Sequence, residues 1–311
     1  MAKIKVLVCC HKATYVPNDD VYLPIQVGKA NSKIDLGFQG DDEGKNISEK
    51  NFSYCELTAV YWAWKNLKDI DYIGLCHYRR FFDFSFRPFI QKEAKNITES
   101  QLRANLDCLK IDKNIEDYDV VLPTSSSFKI NIFERHSINL NFMDLCVMEE
   151  IVLKLYPDYR ESLESVFYHK QDVPQRNMFI MKREVFEQYC EFLFKILFEV
   201  EKHIKLSPYA YYRRVYGFMG EMLLPLFCYH NKLKIRRQRI LFVDEQGINT
   251  SFLFDITRIF VNKLCFALNE LTKKPIYSVW KRNLLKQEFP ELFQYDIYYF
   301  FYSLVSFIMH K

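Results

Sequence analysis

Short apolar runs alternate with longer amphipathic segments along most of the chain. Residues 4–10, 72–76, 119–122 and 178–181 are apolar runs of strand length, and each run is followed by polar residues. Between them, apolar side chains recur at helical spacing over residues 54–67 and 186–200. Buried parallel strands are continuous apolar runs, whereas helices bury one face. The alternation therefore predicts an α/β fold with a parallel sheet.

The polar residues that follow the first two runs are the first candidates for a binding site. His11 and Lys12 follow residues 4–10, and the motif His77-Tyr78-Arg79-Arg80 follows residues 72–76. In parallel α/β sheets, ligands bind outside the carboxyl ends of the strands. We expect these side chains to line a cleft at that edge.

Residues 17–51 are rich in Asn, Asp and Gly and show little periodicity. Long irregular segments in compact domains are usually functional or disordered. Because this one also contains apolar side chains that can pack, we expect a folded binding loop, in which residues 41–48, including Asn46, close over a ligand.

Two adjacent guanidinium groups at Arg79 and Arg80 can neutralise a diphosphate in fork geometry. The alternative is that both arginines form structural ion pairs with the Asp-rich loop. His77 is either part of the binding site or a buried histidine of the core. Asp83 is the only carboxylate near these arginines in the sequence.

Two glutamates and one asparagine are further candidates. Ser53 and Glu56 match a capping box, which favours a structural role for Glu56 over contact with sugar hydroxyls. Glu221 follows two glycines near an expected helix start, where it acts either as a general base or as a partner of the helix dipole. Asn177 begins an apolar run and either binds a sugar hydroxyl or caps a turn.

Composition narrows the class of protein. The 43 Lys and Arg against 39 Asp and Glu give a net charge of +4, too weak a basic excess for nucleic-acid binding. The nine cysteines show no metal-ligand spacing, which indicates reduced thiols of a cytoplasmic protein. No signal peptide precedes the first apolar run, so we expect no export.

Several ordered motifs resemble those of one known family. They are Tyr22-Leu23-Pro24-Ile25-Gln26-Val27-Gly28, Asn46-Ile47-Ser48-Glu49-Lys50-Asn51, Cys55-Glu56-Leu57-Thr58-Ala59, Tyr61-Trp62-Ala63-Trp64-Lys65-Asn66, His77-Tyr78-Arg79-Arg80, Asn177-Met178-Phe179-Ile180-Met181, and Gly217-Phe218 with Glu221. The family comprises capsular polysaccharide and O-antigen biosynthesis glycosyltransferases long carried as a domain of unknown function. The resemblance covers roughly residues 3–245.

The resemblance implies a GT-A-like, single Rossmann-type nucleotide-sugar-binding domain, which we place at residues 1–248. It also implies a nucleotide sugar donor, with UDP-linked galactose or galactofuranose as the lead, and a lipid-linked glycan acceptor at the cytoplasmic face of the membrane. Many enzymes of this architecture carry an Asp-x-Asp metal site where this chain has arginines. We therefore expect Arg to stabilise the leaving group without a metal, and with Glu221 as the base we expect an inverting transfer. The alternative is a divalent metal held by Asp41, Asp42 and Asp83, if these carboxylates meet in space.

The sequence patterns and the resemblance together predict roles for individual residues. We expect Glu221 to be the catalytic base and Asn177 and Asp83 to contact the acceptor or the sugar. The expected donor-binding residues are His11, Lys12, Asn46, Tyr54, Glu56, His77, Tyr78, Arg79 and Arg80.

Two alternatives stay open. One is a retaining enzyme in which Glu221 only holds a hydroxyl, and the other is a non-catalytic scaffold that binds sugar nucleotides in a polysaccharide assembly complex. Residues 249–311 lie outside the resemblance and are expected to form a helical extension. Its amphipathic pattern is typical either of a helix lying on a membrane surface or of one docked on a protein.

Overall fold

The computed structural model describes residues 2–17, 19–85, 94–127, 131–137, 140–170, 172–173 and 176–243. The expected helical extension at residues 249–311 lies outside these residues. The strands of the main sheet are β1 (Ile4–Cys10), β2 (Tyr22–Gln26), β3 (Gln39–Gly40), β4 (Tyr72–His77), β5 (Arg80–Phe82), β6 (Ala94–Ile97), β7 (Val120–Pro123), β10 (Phe179–Lys182), β11 (Ile235–Gln238) and β12 (Ile240–Val243), while β8 (Ser126–Ser127) and β9 (Asp172–Val173) pair separately.

The main sheet has the order β11-β7-β10-β4-β1-β2-β3. Strand β1 runs parallel to β2 and β4, and β11 runs parallel to β7. Strand β10 is antiparallel to both of its neighbours, β4 and β7. Strand β5 is antiparallel to β4 and β12. The predicted α/β fold with a mostly parallel sheet is confirmed, except that β5 and β10 are reversed.

The reversal of β10 changes which of its ends faces the site. Phe179 pairs with Leu75 near the carboxyl end of β4, whereas Lys182 pairs with Tyr72 at the amino end. Lys182 bonds to Asp119 at that far edge, with 3.0 Å between Nζ and Oδ1. The residues that precede β10, and not those that follow it, therefore reach the edge where His11 and His77 lie.

The helices flank this sheet. They are α1 (Asn51–Tyr54), α2 (Leu57–Asn66), α3 (Glu99–Ala104), α4 (Ile132–Ser137), α5 (Phe142–Leu155), α6 (Arg160–Glu164), α7 (Arg183–Glu201) and α8 (Val215–His230). Short 3-10 turns lie at Lys29–Asn31, Ser48–Lys50, Leu106–Leu109, Lys113–Asp117 and Pro157–Tyr159, and a π-helical turn lies at Ser165–His169.

Apolar cores lie on both faces of the sheet because successive strand residues point to opposite sides. In β1, Leu7 belongs to the core beneath helices α2, α5, α7 and α8, whereas Val6 and Val8 belong to the other core. The helical face predicted over residues 186–200 is confirmed by α7, whose apolar side chains are buried against the first core. The sheet therefore holds the carboxyl ends of β1 and β4 rigidly from two sides.

Residues 17–51 are folded, as expected, but they do not form a single loop. They contribute β2, which pairs in register with β1, and the short strand β3 beyond it. The apolar stretch Tyr22–Gln26 is short and lies within a polar segment, so its sequence did not indicate a strand. None of the helices that the structure describes is long and apolar enough to cross a membrane.

Candidate functional site

A cavity of about 490 Å³ opens at the carboxyl ends of β1 and β4. Its walls come from the ends of these two strands, from the start of α2, from helix α8 and from the segment before α8. The lining residues are Cys9, His11, Val27, Asn51, Phe52, Cys55, Glu56, His77, Tyr78, Arg79, Arg80, Ala210, Arg213, Arg214 and Glu221. The cavity thus brings together chain segments that are more than a hundred residues apart.

The tight turn between β4 and β5 forms a basic wall around one aromatic ring. Strand β5 folds back on β4, so that His77 pairs with Arg80 across the turn. The Tyr78 ring meets the His11 ring edge-on at 5.1 Å, and the Arg79 guanidinium lies 5.1 Å from the Tyr78 ring centre. Lys12 Nζ lies 5.6 Å from the same ring. Cationic groups that lie over an aromatic face are held in place by that contact.

Arg80 and His77 reach deeper into the site. Burial, and then the Arg176 cation, lower the pKa of Arg80 to about 10, although Glu221 and Glu56 oppose the change. Burial lowers the pKa of His77 to about 4, so the ring is neutral at pH 7. His77 Nε2 and Arg80 Nε have no hydrogen-bond partner within the described part of the chain. Buried polar atoms of this kind are usually satisfied, so these two are suited to meet a bound ligand.

Glu56 lies at a break between two helices. Cys55 has φ 52° and separates α1 from α2, and Glu56 is the N-cap residue of α2. The expected capping box is wrong: Ser53 lies inside α1 and donates to the Lys50 carbonyl, and Glu56 makes no cap bond. The left-handed residue at Cys55 turns the Glu56 side chain into the cavity, where the structure places it among the lining residues.

Asn177 supports Glu56 and is absent from the residues that line the cavity. Its Nδ2 donates to Glu56 Oε1 at 2.7 Å and to the Gly217 carbonyl at 2.9 Å, and the residue is fully buried. Its Oδ1 has no hydrogen-bond partner within the described residues. Because this side chain is occupied by Glu56 and by α8, we replace the expected sugar contact by a positioning role.

Glu221 enters the cavity from the second turn of α8, as the seventh residue from Val215. The expectation that it lies at a helix start is therefore wrong, and dipole compensation in the first turn does not explain it. Glycines bring α8 close: a Cβ at Gly217 would lie 3.0 Å from Cys55 Sγ, and one at Gly220 would lie 2.9 Å from Asn177 Oδ1. The sequence signal for this contact was the Gly-x-x-Gly spacing.

The carboxyl group of Glu221 is tuned by its surroundings. Burial, and then the Glu56 carboxylate, raise the pKa of Glu221 to about 7. Arg135, Arg176 and Arg80 oppose it by favouring the charged form. A carboxyl group with this pKa can accept a proton near neutral pH, where an ordinary glutamate is a much weaker base.

Four arginines near the site were not among the expected residues. Arg213 and Arg214 line the cavity from the segment before α8, and Arg135 and Arg176 act on Glu221. Arg214 Nε donates to Cys55 Sγ at 3.2 Å. Of these four, only Arg213 and Arg214 could have been identified from the sequence. They follow two tyrosines as an adjacent pair, which repeats the pattern of Arg79 and Arg80 after Tyr78.

Two of the expected site residues, Tyr54 and Asp83, are held in other parts of the fold. Tyr54 is fully buried in the core, 4.5 Å from the Tyr216 ring, and its hydroxyl donates to Glu201 Oε2. Asp83 is buried in an ion pair with Arg239 and accepts from Ser85 Oγ at 2.5 Å. Neither residue lines the cavity. We therefore withdraw the donor role of Tyr54 and the sugar role of Asp83.

The side chain of Asn46 also lies away from the cavity and forms hydrogen bonds within its own loop. Its Nδ2 donates to the carbonyl oxygens of Asp42 and Gly44, and its Oδ1 accepts from Ser48 N at 3.1 Å. The fully buried Asp41 ties this loop to the sheet by accepting from Gly28 N, Ser48 Oγ and Thr58 Oγ1. Asn46 does not line the cavity, so we withdraw its donor role as well.

The carboxylates do not gather into a metal site in the described ranges. No group of three or more His, Cys, Asp or Glu side chains there has the arrangement to hold a metal ion. Asp41 and Asp83 are engaged by the bonds given above. The cavity is instead lined by four arginines and two glutamates. These are Arg79, Arg80, Arg213, Arg214, Glu56 and Glu221.

Comparison with known proteins agrees with this architecture. The apo structure of the bifunctional glycosyltransferase WbbM is similar to this chain, with a TM-score of 0.71 and 34% sequence identity, covering 78% of this chain and 45% of that one. The chain thus spans less than half the length of that structure. No curated protein sequence matches the chain.

A family model described as "Domain of unknown function (DUF4422)" matches residues 5–232. This range contains every lining residue of the cavity. The family resemblance carried by the sequence motifs is confirmed. Since the matched range spans well over half of its residues, the chain belongs to the DUF4422 family.

Proposed function

We propose that this protein is a GT-A-like glycosyltransferase that uses a nucleotide sugar in the synthesis of capsule, O-antigen or exopolysaccharide. The observation that carries the proposal is the cavity in which Arg79, Arg80 and Glu221 meet at the carboxyl ends of β1 and β4. In this proposal they are a diphosphate-binding pair and a carboxyl base that share one cavity. The similarity to a bifunctional glycosyltransferase supports the same reaction class.

The donor diphosphate binds to the wall formed by Arg79 and Arg80. Two guanidinium groups supply a fork of donors that matches phosphate oxygens, and they stabilise the negative charge that develops as the nucleotide leaves. His11 and Tyr78 hold Arg79 and Lys12 on this wall. The leading donor is a UDP-linked hexose, galactose or galactofuranose.

Glu221 removes the proton of the acceptor hydroxyl as its oxygen attacks the anomeric carbon. The new carbon–oxygen bond forms while the bond from that carbon to the diphosphate breaks, so the nucleoside diphosphate leaves with the bonding electron pair. The proton ends on the Glu221 carboxylate. A base whose pKa is about 7 suits proton transfer near neutral pH. This in-line displacement inverts the anomeric configuration.

We propose that the transfer needs no metal, because the arginines supply the charge that a divalent cation supplies in related chemistry. The acceptor is a lipid-linked glycan, and the reaction takes place at the cytoplasmic face of the membrane. Glu56, held by Asn177, binds hydroxyl groups of the donor sugar from the start of α2. Tyr54, Asp83 and Asn46 have no part in this mechanism.

The test is nucleotide release and thermal shift of the full chain with a panel of nucleotide sugars that includes UDP-galactose and UDP-galactofuranose. Each donor is measured with EDTA and then with Mn²⁺. One donor that stabilises the protein and is turned over in EDTA supports the proposal, and the anomeric configuration of the product separates inversion from retention. If a donor binds but is never turned over, the protein is a sugar-nucleotide-binding scaffold, and the enzymatic proposal fails.

A further inference from the structure

The rim of the cavity exposes an unusual concentration of apolar side chains. Nine large hydrophobic residues are exposed in the part of the chain that the structure describes. Five of them lie in residues 204–214 or next to them in space: Phe52 (49% exposed), Leu206 (36%), Tyr209 (71%), Tyr211 (49%) and Tyr212 (49%). Clustered exposed apolar groups mark binding surfaces, whereas single ones do not. We call these five residues the aromatic rim.

The aromatic rim is continuous with the cavity. Phe52 and Ala210 are lining residues, and the Arg213 guanidinium lies 5.8 Å from the Phe52 ring. Tyr211 packs edge-on to Tyr212 at 5.5 Å and lies 5.7 Å from Phe218 of α8. A ligand that extends out of the cavity on this side therefore contacts apolar surface.

Positive charge lies between the aromatic rim and the interior. Residues 204–214 contain Lys205, Arg213 and Arg214 and no carboxylate. The Arg213 side chain donates to the carbonyl oxygens of Ser207 and Pro208, at 3.2 and 2.7 Å, so its position is fixed while its charge is not cancelled. Helix α8 begins immediately afterwards with no acidic residue in its first turn, and its positive end adds to the attraction for an anion.

The two arginines differ in their surroundings. Arg214 lies within electrostatic reach of Glu56 and Glu221, both in the interior of the site. Arg213 lies over Phe52, at the aromatic rim. A phosphate group held by this pair therefore has catalytic carboxyl groups on one side and exposed aromatic surface on the other.

We infer that the aromatic rim and the Arg213-Arg214 pair form a binding site for an amphiphilic phosphate ester, a phosphate or diphosphate that carries an apolar chain. The phosphate binds to the two guanidinium groups, and the chain lies on Phe52, Tyr209, Tyr211 and Tyr212. Resting on the proposed function, this site is the acceptor side of the cavity, and it directs the group esterified to the phosphate toward Glu221.

The experiment measures binding of farnesyl diphosphate, inorganic pyrophosphate and farnesol to the full chain by calorimetry, with and without saturating UDP. Farnesyl diphosphate should bind at least about tenfold more tightly than pyrophosphate, because the chain adds buried apolar area. Its binding should persist in saturating UDP, since the nucleotide occupies the Arg79-Arg80 wall.

Matched variants locate the site. Arg213→Gln should weaken farnesyl diphosphate binding roughly tenfold and change UDP binding by less than about threefold. The double variant Tyr211→Ser/Tyr212→Ser should bring farnesyl diphosphate down to the affinity of pyrophosphate. Ile34→Ser, which removes an exposed apolar side chain outside the rim, is the control and should change neither ligand.

Several results would overturn the inference. These are equal affinities for farnesyl diphosphate and pyrophosphate, displacement of farnesyl diphosphate by UDP, or variants that bind as the wild type does. Binding to phosphatidylglycerol vesicles that depends on the same residues, without binding of soluble farnesyl diphosphate, would identify a membrane-docking surface instead. Farnesyl diphosphate binding in a protein that binds no nucleotide sugar would refute the proposed function and leave this site standing.

Discussion

The side-chain amide of Asn177 lies 2.7 Å from the carboxylate oxygen Oε1 of Glu56. The same Nδ2 donates to the Gly217 carbonyl, so one buried amide joins the start of α2, the start of β10 and helix α8. Two of the elements that it joins carry the carboxyl groups of the cavity, Glu56 and Glu221. Asn177 therefore fixes the spacing of these two groups without lining the cavity.

Replacing Asn177 by Asp should disable the site. The change removes the only donor that the structure gives to Glu56 within the described residues and puts a second carboxyl group against it. Loss of a hydrogen bond to a buried charged group costs about 1.5–3 kcal/mol, so we expect turnover to fall at least about tenfold. The measurement is nucleotide release at saturating donor, with the melting temperature recorded alongside.

The control for Asn177→Asp is the double variant Glu56→Gln/Asn177→Asp. It restores a hydrogen bond between the two side chains with donor and acceptor exchanged and leaves the net charge unchanged. We expect its melting temperature to recover while its turnover stays low, because the carboxylate has left position 56. Full activity in Asn177→Asp alone would show that Asn177 does not position Glu56.

Glu221→Gln should stabilise the protein at alkaline pH. The pKa of Glu221 is about 7 in the folded chain against an ordinary value of 4.5, so the folded state holds a proton that the unfolded state has released. Stability therefore falls as the pH rises from about 4.5 through 7. The neutral amide removes this penalty, so the melting temperature should rise at about pH 8 and stay unchanged at about pH 4. A lower melting temperature at about pH 8 would contradict the charge environment described for Glu221.

The pH dependence of turnover should shift in opposite directions in two variants. Arg80 favours the charged form of Glu221, so Arg80→Gln should raise the pKa of Glu221 and move the acidic limb of the profile to higher pH. Glu56 disfavours that form, so Glu56→Gln should move the limb to lower pH. The measurement is kcat against pH at saturating donor. Shifts in the same direction, or none, would show that another group controls the acidic limb.

Gly217→Ala should separate α8 from the helix break. The added Cβ would lie 3.0 Å from Cys55 Sγ and 3.1 Å from its Cβ, in a buried contact with little room to yield. Overpacking of this kind costs about 1–3 kcal/mol, so we expect a lower free energy of unfolding and weaker turnover. Chemical denaturation and nucleotide release measure the two effects.

The compensating variant for Gly217→Ala is Cys55→Gly. It removes both clashing atoms, and glycine suits the positive φ of 52° at that position. The double variant Cys55→Gly/Gly217→Ala should recover most of the lost stability. If Gly217→Ala alone is as stable as the wild type, the close approach of α8 to Cys55 does not constrain the fold.

Apolar patterning was sufficient to predict the strands that frame the site. Residues 4–10 and 72–76 became β1 and β4, and the polar residues that follow them line the cavity, with the exception of Lys12. The direction of β10 was not predictable, because its apolar run reads the same in a parallel and an antiparallel sheet. That reversal is why Asn177 reaches the site from the amino end of its strand.

The remaining differences between the predicted and the observed site have local structural causes. The positive φ at Cys55 breaks the helix between Ser53 and Glu56, and no residue type in that stretch signals it. Tyr54 lies only two residues before Glu56 but is buried in the core, since nearby residues of a helix face different directions. Arg135 and Arg176 lower the pKa of Glu221, but they are far from it in the sequence and come near it only in the folded chain. Sequence spacing therefore did not indicate them.

The central claim is that Arg79 and Arg80 bind a donor diphosphate and that Glu221 is the base of sugar transfer. The most direct measurement compares donor affinity and nucleotide release, in EDTA, for the wild type, Arg79→Gln and Glu221→Gln. We expect Glu221→Gln to bind the donor as the wild type does and to release nucleotide at least about a hundredfold more slowly, whereas Arg79→Gln should lose donor affinity. Undiminished release by Glu221→Gln, or unchanged donor affinity in Arg79→Gln, would contradict this claim.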